Sequence, residues 1–230
     1  MNSTPTELDA TRPLAELTAA LNSLCDEAES DRHTTTLVLR LSAASAPAAP
    51  AEWPGDVTVS AVNRWERAVR RLEKLDATTV VIAEGHCGGP ALELLLAADV
   101  RIGVSGMSMA LPVNDGHVWP GMALYRLVRH LGMHRTRQLL LWDTDISLAR
   151  ALELGLIDRG ADDVEQARTA AGALSTHLAD RETALRRQLI AEAATAEYDE
   201  ALGVHLAACD RELRRLSAAD QHGGTAGRAA

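Results

Sequence analysis

Carboxylates, histidines and cysteines fall at three places in the 230-residue chain where their types and spacing could do chemistry. The first is the glycine turn Glu84-Gly85-His86-Cys87-Gly88-Gly89-Pro90 and the Glu93 that follows it. A cysteine beside a histidine suggests a nucleophile activated by a neighbouring base. Adjacent residues in a turn point apart, however, which favours a small buried thiol at Cys87. Pro90 suits the first position of a helix, where its missing N–H costs nothing. The next amides, Ala91 and Leu92, then point out of the helix mouth towards any anion placed there. Glu93 lies in the first turn of that helix, where the helix dipole favours a carboxylate by ~0.3 to 1 kcal/mol whatever else it does. The second place is Asn114-Asp115-Gly116-His117. Asp115 could exchange a proton, although Asn-Asp-Gly is first of all turn chemistry, and His117 could carry a proton or simply hydrogen-bond at the surface. The third is His130 and His134, four apart, a metal-binding spacing if both share a helix face. Gly132 between them ends the helix and no carboxylate or thiol completes a set nearby, so no metal is expected.

Several other chemistries are excluded by what the chain lacks. Gly85, Gly88 and Gly89 form neither a GxGxxG nor a Walker pattern, so nucleotide phosphate cradling of those kinds is unsupported. Lys74, the only lysine, sits on a charged helix face, which leaves no candidate for Schiff-base chemistry. Acidic residues outnumber basic ones by 32 to 23, a net charge of -9, so no nucleic-acid partner is expected. Cys25, Cys87 and Cys209 contain no CxxC pair and read as reduced thiols. No run of ~18 apolar residues occurs and the N-terminus is polar, so no membrane association is expected and a cytoplasmic location is.

The elements that must position these residues follow from periodicity. Leu14, Leu17, Leu21 and Leu24 mark an amphipathic helix over Pro13 to Glu29, and Thr36 to Leu41 reads as a buried strand. Ser42 to Gly55, with three prolines among small residues, reads as a surface loop or mobile flap. Val59, Val62, Trp65, Val69 and Leu72 recur at helical spacing up to about Leu75, with Arg64, Glu66, Arg67 and Arg70 on the other side. Trp65 among arginines could stack on an adenine ring, but its spacing favours core packing. Thr79 to Ala83 is a second strand, Ala91 to Ala98 a helix, and Asp99 to Val104 and Met107 to Leu111 two further strands, followed by a loop over Pro112 to Pro120. Helical patterns then dominate: Gly121 to His130, Met133 to Trp142, Ser147 to Glu153, Val164 to Leu178, Arg181 to Ala194 and Tyr198 to Leu216, before an Ala- and Gly-rich tail expected to be disordered. Strands interleaved with helices predict an α/β fold with crossover-connected sheet structure and an appended helical region.

Four segments resemble the crotonase (enoyl-CoA hydratase/isomerase) superfamily. Val80 to Asp99 looks like that family's strand, glycine turn, helix and closing Asp, and Met109-Ala110-Leu111-Pro112 like the strand before its second catalytic loop. Trp119-Pro120-Gly121-Met122 looks like its entry into the following helix, and Asp145 to Asp158 like its I-x-A-x-x-A-x-x-x-G-L-V helix. The resemblance implies a crotonase-like (ClpP/crotonase) ββα spiral core over residues 1–160, shortened at the N-terminus where the opening strands are missing. A C-terminal helical region over 161–216 and a tail over 217–230 would follow. More narrowly, Ser60 to Leu72, Trp119 to Leu127 and Leu206 to Arg211 resemble the accessory crotonase-type proteins of 3,5-dihydroxyphenylacetyl-CoA biosynthesis, which supply the dihydroxyphenylglycine of glycopeptide antibiotics.

The resemblance implies a coenzyme A thioester as substrate, no further cofactor, and a site that stabilises an enolate with two backbone N–H donors. One donor would fall at Pro90, which has no N–H. Gly88, Gly89 and Ala91 are therefore the expected turn and oxyanion positions, with the hole displaced along the helix mouth. The other donor would lie within Ser42 to Gly55, which carries no such motif. Of two glutamates that would handle one water, Glu93 matches the first by its six-residue distance to Asp99; the second falls at Val113, which cannot ionise, leaving Asp115 as the substitute. Two functions follow. One is a hydratase-like lyase acting on an acyl-CoA or polyketide thioester with Glu93 as acid or base. The other is a catalytically impaired protein that docks on a type III polyketide synthase or a sister crotonase. The apolar stripe of Leu202, Leu206, Cys209, Leu213 and Leu216 must be covered, and the resemblance implies that a neighbouring subunit covers it, in a homo-oligomer or hetero-oligomer. A serine or cysteine hydrolase on a related spiral is disfavoured, since no serine occupies the Gly88-Gly89 turn.

Overall fold

The computed structural model describes residues 5–31, 34–42, 53–54, 57–142, 145–177, 181–194 and 196–223. Its centre is a five-stranded sheet in which every neighbour is parallel, built from β1 (Thr6–Asp9), β2 (Thr36–Ser42), β3 (Thr78–Ala83), β5 (Val100–Val104) and β10 (Arg159–Ala161), in that spatial order. Parallel strands need both faces covered, and the aliphatic runs supply two sets of side chains. Leu39, Leu41, Val81 and Ala83 face α1 (Leu14–Ser30), α2 (Val59–Glu73) and α3 (Gly89–Ala97). Val38, Val80, Ile82, Ile102 and Val104 face Ala167, Ala170 and Ala171 of α6 (Val164–His177). Small residues on α6 allow it to approach the sheet closely, so the compact unit runs to Ala179 and includes α6, past the boundary expected at residue 160.

A second, smaller sheet stands beside the first. Here β4 (His86–Cys87) pairs parallel with β6 (Ser108–Met109), and β6 pairs antiparallel with β9 (Ile146–Ser147). Gly85 (φ 68°) and Gly106 (φ 82°) make the sharp turns by which β3 passes into β4 and β5 into β6. This repeated step from large sheet to small sheet to helix is the ββα spiral. The strand predicted to Leu111 stops at Met109, and the predicted loop 112–120 contains a hairpin of β7 (Val113–Asn114) and β8 (His117–Val118). An opening strand, expected to be missing, is present as β1: four residues pair with β2 through Thr6 to Asp9, burying Leu8, a pattern too short and polar to stand out in the sequence.

Beyond the hairpin, α4 (Met122–Trp142) is broken at Gly132 (φ 75°, ψ 165°), the predicted break, and α5 (Leu148–Leu154) ends on a left-handed Gly155. A separate unit from Asp180 onward contains α7 (Arg181–Ala193) and α8 (Tyr198–Gly223). The helix expected to end at Leu216 continues to Gly223, because Ser217 to His222 carries alanines and no breaker until the glycines; the rest of the expected disordered tail, 224–230, lies outside the described residues. The Pro-rich segment Ser42 to Gly55 also lies outside them, except Ser42, Trp53 and Pro54.

Candidate active site

Glu93 sits one turn into α3 and is 2% exposed. The helix that carries it is tied down at its far end, where Asp99 Oδ2 accepts from the Thr79 amide at 2.7 Å and from Thr79 Oγ1 at 2.8 Å. At its near end Gly88 is the N-cap and Pro90 falls in the first turn, as the sequence predicts. Gly89 takes φ 51°, which only glycine adopts without strain.

Three neighbours define the Glu93 carboxyl. Trp65 of α2 is 1% exposed and its indole N–H donates to Glu93 Oε2. The spacing argument for a core tryptophan holds, and its buried N–H needed a partner. Glu66, the next residue on α2, brings a like charge to bear on the Glu93 carboxyl. The side chain of Arg126 on α4, 5% exposed, pairs through Nη2 with Glu66 Oε2 at 3.1 Å and through Nε with Glu73 Oε1 at 2.6 Å. Burial first, then the like charge of Glu66, push Glu93 up to about 7, against the opposing pull of the Trp65 bond and of Arg126. The segment entering α4 packs closely here: a Cβ at Gly121 would lie 2.6 Å from the Trp119 ring and 3.1 Å from Glu93 Oε1.

The other expected site residues behave differently. Asp115 (φ 48°) and Gly116 (φ 78°) are the two central residues of the β7–β8 hairpin, a turn that demands left-handed conformations, and Asp115 is exposed at its tip. Turn geometry accounts for it, and it is not among the groups that touch Glu93. The Ala91 amide, expected to face an anion, donates to the Gly88 carbonyl at 3.1 Å. Gly88 has an ordinary extended backbone, and a Cβ there would only touch His86 at 3.4 Å. Over Gly89 lies the Trp53 ring, 3.1 to 3.4 Å from where a Cβ would stand. Asn114 holds Trp53 in place, its Oδ1 accepting from the Trp53 amide at 3.1 Å and its Nδ2 donating to the Trp53 carbonyl.

His86 and Cys87 diverge. His86 Nδ1 meets Ser108 Oγ at 3.0 Å, whereas the Cys87 thiol is fully buried and pushed up to about 12 by burial and by Glu84. It is not a thiolate at neutral pH. His130 is engaged at both ring nitrogens, with Arg101 Nη1 at 3.3 Å and the Leu96 carbonyl at 2.8 Å, and Gly132 separates it from His134. Among the described residues no cluster of three or more His, Cys, Asp or Glu could hold a metal ion.

A ββα spiral with a buried glutamate on the helix after its first glycine turn defines a crotonase-fold protein. A model of the enoyl-CoA hydratase/isomerase family matches residues 58–224. The "Enoyl-CoA-hydratase" of Amycolatopsis orientalis is 41% identical over 209 residues, 90% of this chain and 94% of that one. The chain therefore belongs to the enoyl-CoA hydratase/isomerase family. Its fold is shared with the crystal structure of an enoyl-CoA hydratase from Bacillus anthracis, with a TM-score of 0.76 at 18% identity over 97% of this chain and 94% of that one. An enoyl-CoA hydratase/isomerase family protein from Silicibacter pomeroyi gives 0.75 at 17% identity, covering 93% and 97%.

Proposed function

We propose that this protein is an enoyl-CoA hydratase-like lyase that assists formation of 3,5-dihydroxyphenylacetyl-CoA, promoting dehydration and aromatisation of a malonyl-CoA-derived polyketide thioester in dihydroxyphenylglycine biosynthesis. The observation that carries it is Glu93: a carboxyl enclosed and held up to about 7, so that it retains a proton near neutrality, on the residue that the resemblance matches to the family's first glutamate. Loss of water needs such a donor, because the departing hydroxyl must be protonated as its C–O bond breaks. The finer assignment rests on the likeness of Ser60 to Leu72, Trp119 to Leu127 and Leu206 to Arg211 to the accessory proteins of that pathway. The test is a reconstituted type III polyketide synthase reaction with and without this protein. Glu93→Gln is expected to lower the aromatic product by a factor on the order of 100. Unchanged output with Glu93→Gln rejects the reading.

A second reading, a catalytically impaired protein that binds and stabilises the synthase or a sister crotonase, is favoured by the helix mouth. Pro90 has no N–H, the Ala91 amide is engaged, and Trp53 covers Gly89. Exposed Leu206 (57%) and Leu213 (63%) on α8 give a partner or a second copy an apolar face. Co-elution with the synthase, together with full assistance by Glu93→Gln, is the result that selects it.

A further inference from the structure

We propose that Trp119 is a further catalytic residue of this site: its indole N–H, set beside Glu93 Oε1, receives the hydroxyl that leaves the substrate as water. The two oxygens of the Glu93 carboxyl have different surroundings. Oε2 accepts from the buried Trp65 indole, which orients the carboxyl and leaves Oε1 as the oxygen free to meet a substrate. Oε1 faces the segment entering α4. A Cβ on Gly121 would stand 3.1 Å from Glu93 Oε1 and 2.6 Å from both Cδ1 and Nε1 of the Trp119 ring. Gly121 is not one of the positive-φ glycines, so its missing side chain answers to space and not to backbone strain. The half-buried Trp119 ring and the carboxyl oxygen therefore close on the same spot from two sides. Among the described residues nothing accepts from Trp119 Nε1, whereas a tryptophan N–H out of water ordinarily finds a partner. An acceptor oxygen resting against Gly121 supplies it.

The role of Trp119 rests on the lyase reading above. A hydroxyl oxygen has two lone pairs, one for the Trp119 N–H and one for the proton on Glu93 Oε1. As the C–O bond breaks, its electron pair goes to that oxygen, Glu93 passes its proton to it, and water leaves. The carbon next to the thioester carbonyl gives its proton to Glu93 as the C=C bond forms. Glu93 ends with the one proton it began with. Trp119 transfers none: its N–H stabilises the charge that builds on the departing oxygen. The ligand chemistry this selects is an acyl thioester with a hydroxyl on the second carbon from the carbonyl.

The experiment follows the indole N–H resonances of the full chain by NMR. Its four tryptophans are assigned through Trp53→Phe, Trp65→Phe, Trp119→Phe and Trp142→Phe, and if Trp119→Phe does not fold the other three assign its resonance by elimination. Added 3-hydroxybutyryl-CoA, which carries the hydroxyl, is expected to move the Trp119 resonance downfield; butyryl-CoA, which lacks it, is expected to leave it in place. Equal responses to the two thioesters, or none to the hydroxy compound, overturn the proposal. The titration midpoint of Glu93, read from its carboxyl carbon, is expected to stay in place in Trp119→Phe. A midpoint that moves as far as in Trp65→Phe shows that the Trp119 N–H serves the carboxyl, and overturns it too. Where Glu93→Gln lowers product in the reconstituted synthase reaction, Trp119→Phe is expected to lower kcat about tenfold with KM little changed. A selective Trp119 shift in a protein whose Glu93→Gln variant keeps full output sinks the lyase reading and leaves the hydroxyl site standing; product lost in Glu93→Gln with no selective shift sinks the Trp119 assignment alone.

Discussion

Glu93 links the chemistry of one side chain to the stability of the molecule. Its pKa is raised from 4.5 to about 7 on folding, so its contribution to stability is fully present below 4.5 and is lost as pH rises through about 7. The loss is on the order of 3 kcal/mol. Thermal melts across that window are expected to show a falling midpoint in the native protein and a flatter profile in Glu93→Gln. Trp65→Phe removes the indole donor and leaves the carboxyl oxygen without it; the Glu93 midpoint rises further and the protein loses about 1–3 kcal/mol, measurable by denaturant unfolding. The sequence points to Glu93 through its distance to Asp99 and to Trp65 through helical spacing. It does not point to Glu66 or Arg126. Helical periodicity assigns Glu66 to the charged side of α2, because it cannot show that a long side chain next to a core tryptophan pairs with a buried arginine on α4.

At the scale of elements, two glycines let backbones and rings approach. Gly89→Ala adds a Cβ at a left-handed residue and against the Trp53 ring, and is expected to cost about 1–2 kcal/mol in denaturant unfolding. Gly103 lies on β5 where a Cβ would meet Leu148 Cδ1 at 2.5 Å and Met107 Sδ at 2.7 Å, so its lack of a side chain sets how closely α5 packs on the sheet. Asn114→Ala removes both bonds to the Trp53 backbone. The Trp53 indole N–H resonance is expected to shift towards its solvent-exposed value in that variant, and an unmoved resonance would show that Asn114 does not hold the ring. Strands of aliphatic run were legible, since burial on both faces writes a continuous apolar pattern. The β7–β8 hairpin was not, because two-residue strands leave no periodicity on either side of the Asp-Gly turn.

For the whole molecule, the large sheet, its two covered faces and the spiral step into the small sheet form one unit ending at Ala179. A chain truncated there is expected to fold with a smaller helical far-ultraviolet signal per residue, because α7 and α8 are gone, and with an unchanged Glu93 midpoint; loss of cooperative unfolding would show that α7 and α8 are needed. The α/β class was readable because it follows from the order of elements. The unit boundary was not, since α6 joins the sheet through Ala167, Ala170 and Ala171, residues whose small size carries no apolar stripe. Burial has a kinetic consequence as well. Cys209 is exposed, while Cys25 and Cys87 are held up to about 11 and about 12 inside the first unit. An alkylating reagent therefore consumes Cys209 at once and reaches Cys25 and Cys87 only in the moments when the first unit opens, so in a Cys25→Ala variant the slow phase of labelling clocks the opening around Cys87.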